Sequence, residues 1–151
     1  MPTRRETLKQ SAVVAGLLAS AGFPQFAQAA FNKTAFDAKT VQDAVKAAGG
    51  GAIAESKDVT VTAPDIAENG AVVPVGVSTT LTGVKQLLIL VEKNPSTLVA
   101  MFHVSDAVDA NFSTRTKMGQ SSDVYAVAIM ADGKALFAKK EVKVTLGGCG
   151  G

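Results

Sequence analysis

The chain has one cysteine, Cys149, and it stands in the run Gly147-Gly148-Cys149-Gly150-Gly151. A thiol can make and break bonds to sulfur, and glycine on either side leaves it as the sole side chain on a thin, conformationally free stretch of backbone. Such a segment can be threaded into a narrow cleft. Counted from Leu146, three residues at roughly 3.3 to 3.6 Å each carry the thiol about 10 Å beyond the last apolar residue. A cysteine without cationic neighbours has a reference pKa of about 8.5 and is mostly protonated at neutral pH. No lysine, arginine or histidine falls within the last eight residues, and the carboxylate of Gly151 disfavours the thiolate further. Activation must come from a protein that accepts the tail, so the pattern points to a covalent carrier and not to a catalyst.

The remaining residues that could do chemistry do not form a set. His103 is the one histidine; it lies in an apolar run without a second histidine or a cysteine nearby, which reads as structural and not metal-binding. Ser78, Ser96, Ser113, Ser121 and Ser122 have no base apart from His103 and no framing motif. Asp65 with Glu68, and Asp106 with Asp109, read as solvated loop carboxylates. Gly49-Gly50-Gly51 lacks the following Lys-Ser or Lys-Thr of a phosphate loop. No metal, resident cofactor or catalytic group is expected.

The first 29 residues read as a signal and not as part of the fold. Arg4-Arg5 precedes an apolar run from Ser11 to Phe23, and Ala27-Gln28-Ala29 offers a small-x-small cleavage site. That order predicts a twin-arginine (Tat) export signal over residues 1–29 and a periplasmic destination. No apolar run approaches the roughly 20 residues of a membrane span. Removing the segment takes Arg4, Arg5 and Lys9 from 15 basic residues and Glu6 from 13 acidic ones, leaving the remainder formally neutral. Nothing therefore favours nucleic acid or an anionic membrane as partner. In an oxidising compartment a lone cysteine cannot close an internal disulfide; it is a reactive thiol or an intermolecular link.

The elements that must position the tail follow from periodicity. Thr34 and Asp37 suggest a helix start, and Val41, Ala44, Val45 and Ala48 at helical spacing predict a short helix ended by Gly49-Gly50-Gly51. From Lys57 the period becomes twofold, and about seven strands are expected. They are marked by Val59 and Val61; by Val73, Val75 and Val77, with Pro74 implying an edge or a bulge; by the unbroken run Val84–Val91, which predicts a central strand covered on both faces; and by residues 97–104. A more polar strand follows, with Phe112, Thr114, Thr116 and Met118 on one side. Val124–Met130 and Ala135–Leu146 then flank Asp132-Gly133, predicted to form a two-residue type I′ hairpin. Along the last strand Leu136, Ala138, Val142, Val144 and Leu146 are assigned inward. The domain prediction is a mainly β sandwich over residues 30–146 with an N-terminal helix, followed by a mobile tail over residues 147–151.

Several segments resemble SoxY, the sulfur-carrier subunit family of the periplasmic thiosulfate-oxidising (Sox) system. They are the run from Pro64 to Val75, Leu90-Val91-Glu92-Lys93-Asn94-Pro95, Thr114-Arg115-Thr116-Lys117-Met118-Gly119 and, most specifically, Lys143 to Gly151. Thr116 stands where an aliphatic residue would be expected. The resemblance implies an immunoglobulin-like sandwich and a heterodimer with the small partner SoxZ. It implies that Cys149 holds thiosulfonate and persulfide intermediates, with Gly147, Gly148, Gly150 and Gly151 as its swinging arm. It also implies transient contacts with a haem enzyme that conjugates thiosulfate (SoxAX), a sulfate-releasing hydrolase (SoxB) and, where present, a sulfane dehydrogenase. The apolar faces of edge strands are the expected surface for the stable partner. The competing reading is an exported immunoglobulin-like interaction module whose cysteine forms disulfide-linked dimers.

Overall fold

In a computed structural model, residues 3–20 and 31–147 are described. The chain divides into two units, residues 1–31 and 32–151. In the first, helix α1 spans Arg4–Ser20; among the described residues no helix is long and apolar enough to cross a membrane.

In the second unit, the single helix expected near residue 40 is two short ones, α2 (Lys33–Asp37) and α3 (Val41–Ala47). The capping signal read at Thr34 is displaced. Asn32 caps α2, its Oδ1 accepting from the Ala35 N–H at 3.1 Å; Thr40 caps α3, its Oγ1 accepting from the Asp43 N–H at 3.1 Å. Two residues of side-chain acceptor type compete for helix starts here, and the extended backbone of Ala38 separates their helices. The periodic set Val41, Ala44, Val45 and Ala48 is buried as expected. Gly49, at φ +97°, then ends α3. The Gly50 N–H reaches the Val45 carbonyl at 2.9 Å and the Gly49 N–H reaches Lys46 at 3.0 Å, the paired bonds of a Schellman motif.

Nine strands follow among the described residues: β1 (Ile53–Glu55), β2 (Val59–Thr62), β3 (Ile66–Ala67), β4 (Val73–Thr79), β5 (Val84–Val91), β6 (Leu98–His103), β7 (Asn111–Thr116), β8 (Ser122–Met130) and β9 (Ala135–Val144). The seven expected strands are present, and the two additional ones, β1 and β3, are short segments that pair parallel with β9. One sheet has the order β1-β9-β8-β5-β6, with β3 also on β9; the other is β2-β4-β7. Pro74 sits beyond the part of β4 that β2 pairs, which runs from Gly76 to Thr79, so it faces a partner only in β7. The missing N–H of proline is harmless there.

The large sheet is covered on both faces, which explains why β5 and β8 read as unbroken apolar runs. Leu87, Ile89 and Val91 of β5 join Val124, Ala126 and Ala128 of β8 in the core between the sheets, together with Val73, Val75, Val77 and Met118. Leu88, Leu90, Val127 and Ile129 point the other way and pack against Ala35, Ala44 and Val45 of the helices. The architecture is an immunoglobulin-like sandwich with a helical cover on the outer face of its larger sheet.

The β8–β9 hairpin is not type I′, since among the described residues no non-glycine residue has positive φ. Its Gly133 N–H bonds to the Met130 carbonyl at 3.0 Å and the Met130 N–H to Lys134 at 2.8 Å, with Gly133 at φ +88°. That is a three-residue loop: a type I turn followed by a glycine bulge. Asp132 keeps negative φ and uses its side chain instead, accepting the Lys134 N–H at 3.0 Å.

Candidate functional site

Cys149, Gly148, Gly150 and Gly151 lie outside the described residues. What the structure describes is the platform from which they extend. β9 is the longest strand of the sandwich, and the residues at its end are fastened on one side by backbone carbonyls and on the other by a serine hydroxyl. On one side, β3 and the residues flanking it supply carbonyls: Asp65 accepts from the Lys143 N–H at 2.9 Å and Ala67 from the Thr145 N–H at 3.1 Å. The Thr145 hydroxyl donates to the Glu68 carbonyl at 3.1 Å. On the other side, Ser121 Oγ accepts the Val144 N–H at 2.9 Å.

Gly70 links this root to the segment after β7. Its N–H donates to the Leu146 carbonyl at 2.7 Å, and its own carbonyl accepts the Met118 N–H at 2.7 Å. Met118 is fully buried in the sandwich core, so Leu146 is tied, through one glycine, to a residue of that core. Leu146 itself, assigned inward from alternation, is instead exposed. β9 ends at Val144, and the alternation that placed Leu146 on the core face stops with it.

Gly147, the one tail glycine among the described residues, lies against Gly119. A Cβ built on it would stand 2.4 Å from the Gly119 carbonyl oxygen, far inside any real carbon–oxygen contact. Glycine at 147 thus has a packing reason that the sequence reading did not find, because its partner is a backbone group 28 positions away. Gly119 also borders a cleft of about 470 Å³ between the ends of β6 and β7, where Arg115 and Lys117 bring positive charge.

The other candidate residues are scattered. His103 ends β6 and is exposed. The Ser96 hydroxyl donates to the Phe36 carbonyl at 2.6 Å and Ser122 Oγ accepts the Lys93 N–H at 3.1 Å, both structural uses. Asp65 pairs with Lys140 at 2.9 Å. A cleft of about 870 Å³ on the outer face of the small sheet has Arg115 as its one charged side chain, which offers no acid and base in partnership. Among the described residues no three His, Cys, Asp or Glu side chains gather as a metal site. In the sandwich, the perturbed groups Tyr125 and Lys139 sit together on β8 and β9. Burial raises the Tyr125 pKa, and the hydrogen bond to Asp123 raises that of Lys139.

A small sandwich whose last strand is fastened to its end, and whose sequence continues there into a glycine-flanked thiol, has the form of a carrier module. Residues 44–149 match the family model of the sulfur oxidation protein SoxY, a range that ends on Cys149. The structure resembles that of the sulfur carrier protein SoxY from Chlorobium limicola f thiosulfatophilum. The two are 38% identical, with 69% of this chain and 94% of that one covered at a TM-score of 0.62. The chain belongs to the SoxY family of sulfur carriers. Two other solved structures share the fold alone. A superoxide reductase (neelaredoxin) variant from Ignicoccus hospitalis is 16% identical, covering 57% of this chain and 78% of that one at a TM-score of 0.51. A putative superoxide reductase from Thermotoga maritima is 10% identical, covering 61% and 93% at 0.51. No curated protein sequence matches the chain.

Proposed function

We propose that this protein is a periplasmic carrier in thiosulfate oxidation, exported by the Tat route through residues 1–29, which binds its cargo covalently at Cys149. The reading is carried by one observation: the family match extends through Cys149, the one residue of the chain able to hold sulfur by a covalent bond. In the loading step a haem enzyme of the SoxAX type joins thiosulfate to the thiol. The Cys149 S–H bond breaks, an S–S bond forms, one proton goes to solvent and two electrons go to the enzyme, leaving Cys149–S–S–SO3⁻. A hydrolase of the SoxB type then adds water across the terminal S–S bond. Sulfate leaves and Cys149–S–SH, a persulfide, remains for a sulfane dehydrogenase where one is present. The chain supplies no acid or base to either step; it supplies reach, with Gly148, Gly150 and Gly151 as the arm and Gly147 at its base.

A heterodimer with SoxZ completes the unit. Among the described residues β6 and β7 each leave one edge unpaired, and the stacked rings of Phe102 and Phe112, 4.5 Å apart, bridge them. These edge strands are the surface assigned to that subunit. The test is mass spectrometry of the C-terminal peptide after incubation with thiosulfate and the conjugating enzyme, without reductant. The expected result is sulfur-bearing adducts on Cys149, with thiosulfate-dependent electron release abolished in Cys149→Ser while folding and SoxZ binding persist. Normal turnover by Cys149→Ser, or disulfide-linked dimer as the sole modified form, overturns the reading in favour of an interaction module.

A further inference from the structure

Large apolar side chains are rarely exposed on this sandwich, and those that are gather in one place. Among the described residues from 32 to 147, the exposed ones are Ile66 (57%), Val72 (54%), Val108 (45%) and Leu146 (66%). Three of the four surround the root of the tail. Ile66 lies in β3 opposite Lys143, three residues before Leu146. Val72 lies two residues beyond Gly70, whose N–H holds the Leu146 carbonyl at 2.7 Å. Taking about 4.8 Å for the step between strands and about 3.3 Å per strand residue, Ile66 falls within roughly 15 Å of Leu146 and Val72 within roughly 12 Å along the bonded backbone.

Resting on the carrier reading, we propose that Ile66, Val72 and Leu146 form an apolar collar that docks against the rim of each cleft into which Cys149 is inserted. Reach requires a contact there. Cys149 stands three residues past Leu146, so its α-carbon extends at most about 10 Å from that residue. An enzyme that closes on the thiol must bring the mouth of its cleft down onto the surface around Leu146. Size then selects the kind of contact. Three partly exposed aliphatic side chains present on the order of 300 Å² of apolar surface, against about 800 Å² per partner in a stable complex. A permanent subunit needs more than this, whereas a carrier that visits several enzymes needs a patch small enough to release. The occupant assigned to the collar is accordingly the uncharged, apolar rim of an enzyme cleft, engaged transiently, and the fixed bonds from Gly70 and Ala67 hold the collar in place beneath it.

The test uses the chain as its SoxZ heterodimer, with the triple variant Ile66→Gln, Val72→Gln, Leu146→Gln. Glutamine keeps the reach of the side chains and removes their apolar character without adding charge. Val108→Gln is the control, since Val108 is as apolar but lies in the loop preceding β7, at the opposite end of that strand from Met118. The collar requires that the KM of the thiosulfate-conjugating enzyme for the triple variant rise at least about ten-fold, the equivalent of 1.4 kcal/mol. It requires kcat to remain within about two-fold, and Val108→Gln to match the wild type. Alkylation of Cys149 by iodoacetamide should proceed at the same rate in all forms, because a small reagent needs no docking. An unchanged KM overturns the collar while the carrier reading stands. Loss of the heterodimer in the triple variant also overturns it, by assigning the patch to the permanent interface. Absence of enzyme-dependent loading in the wild type would instead sink the carrier reading and the collar with it.

Discussion

Glycine is concentrated in two parts of this chain, at 49–51 and at 147–151, and the same residue serves different physical ends in each. At 49–51 the described geometry demands glycine at the first two positions, and the third serves through its backbone N–H. Gly49 adopts φ +97°, Gly50 is pressed between Val45 and Ile129, and the Gly51 N–H reaches the Gly133 carbonyl at 2.8 Å, joining the helix end to the β8–β9 hairpin. At 147–151, Gly147, the one described member, is accounted for by packing against Gly119; the others lie outside the described residues and flank in sequence the one residue with covalent chemistry. A glycine run is therefore uninformative as composition. It becomes informative when each member is asked for a positive φ or a close approach, and those without either are the ones to examine for function.

The largest effect on stability is expected where the comparison is tightest, at Gly50. A Cβ there would stand 2.6 Å from Val45 Cγ1 and 3.2 Å from Ile129 Cδ1, and Val45 is fully buried with a stiff, branched side chain. Gly50→Ala must push α3 off the large sheet. Thermal or urea denaturation should show a loss of about 1 to 3 kcal/mol; a neutral result would mean that the helical cover yields freely and that close approach is not why glycine stands there. At Gly49 the reason is conformational, with nothing within 4 Å of an added Cβ. Gly49→Ala should lose about 1 to 2 kcal/mol and Gly49→Asn less, since asparagine tolerates left-handed backbone. Equal losses for the two would remove positive φ as the explanation.

How much of this was legible in the sequence depends on whether the information was local. The strands β2 and β4 to β9 announce themselves by twofold alternation or by runs of branched residues, and the doubly covered face of β5 is visible in Leu87-Leu88-Ile89-Leu90. β1 and β3 are three and two residues long. They exist because β9 offers them an edge, and nothing in Ile53–Glu55 or Ile66–Ala67 predicts a parallel partner some 80 positions away. Asp132-Gly133 fixes the place of the hairpin but not its turn type, since the dipeptide suits a three-residue loop with a bulge as well as a two-residue one. Helix starts were misplaced for a related reason: Asn32, Thr34 and Thr40 can all accept a capping bond, and packing chose among them. The site divides in the same way. Cys149 and its flanking glycines stand out because no other residue offers their chemistry, whereas the fastening of the root is written mainly in the backbone groups of Gly70, Ala67 and Gly119, which carry no side-chain signal, with the Ser121 and Thr145 hydroxyls adding one bond each. Two isolated glycines in the loops either side of β4 and β7 were the available clue.

Gly147→Ala sharpens the comparison by placing a local, packing-type demand inside the functional run. The atom that the new Cβ meets, the Gly119 carbonyl oxygen at 2.4 Å, belongs to the backbone and cannot turn aside. Either the Gly119 peptide moves or the chain lifts off from Leu146 onward, and lifting breaks the Gly70 N–H bond to Leu146. That bond is worth about 0.5 to 1.5 kcal/mol net, and it lies beyond the last paired residue of β9, Val144. The global loss should therefore be smaller than at Gly50, about 1 kcal/mol or less. The distinguishing signal is local. Amide hydrogen exchange should accelerate at Gly70, which loses its acceptor, while the amides of β8 stay protected, because local opening at the root leaves the large sheet intact. If Gly70 remains as protected as in the wild type, the root has absorbed the methyl without lifting. Glycine at 147 would then belong with the residues around Cys149 and not with the packed glycines of 49–51.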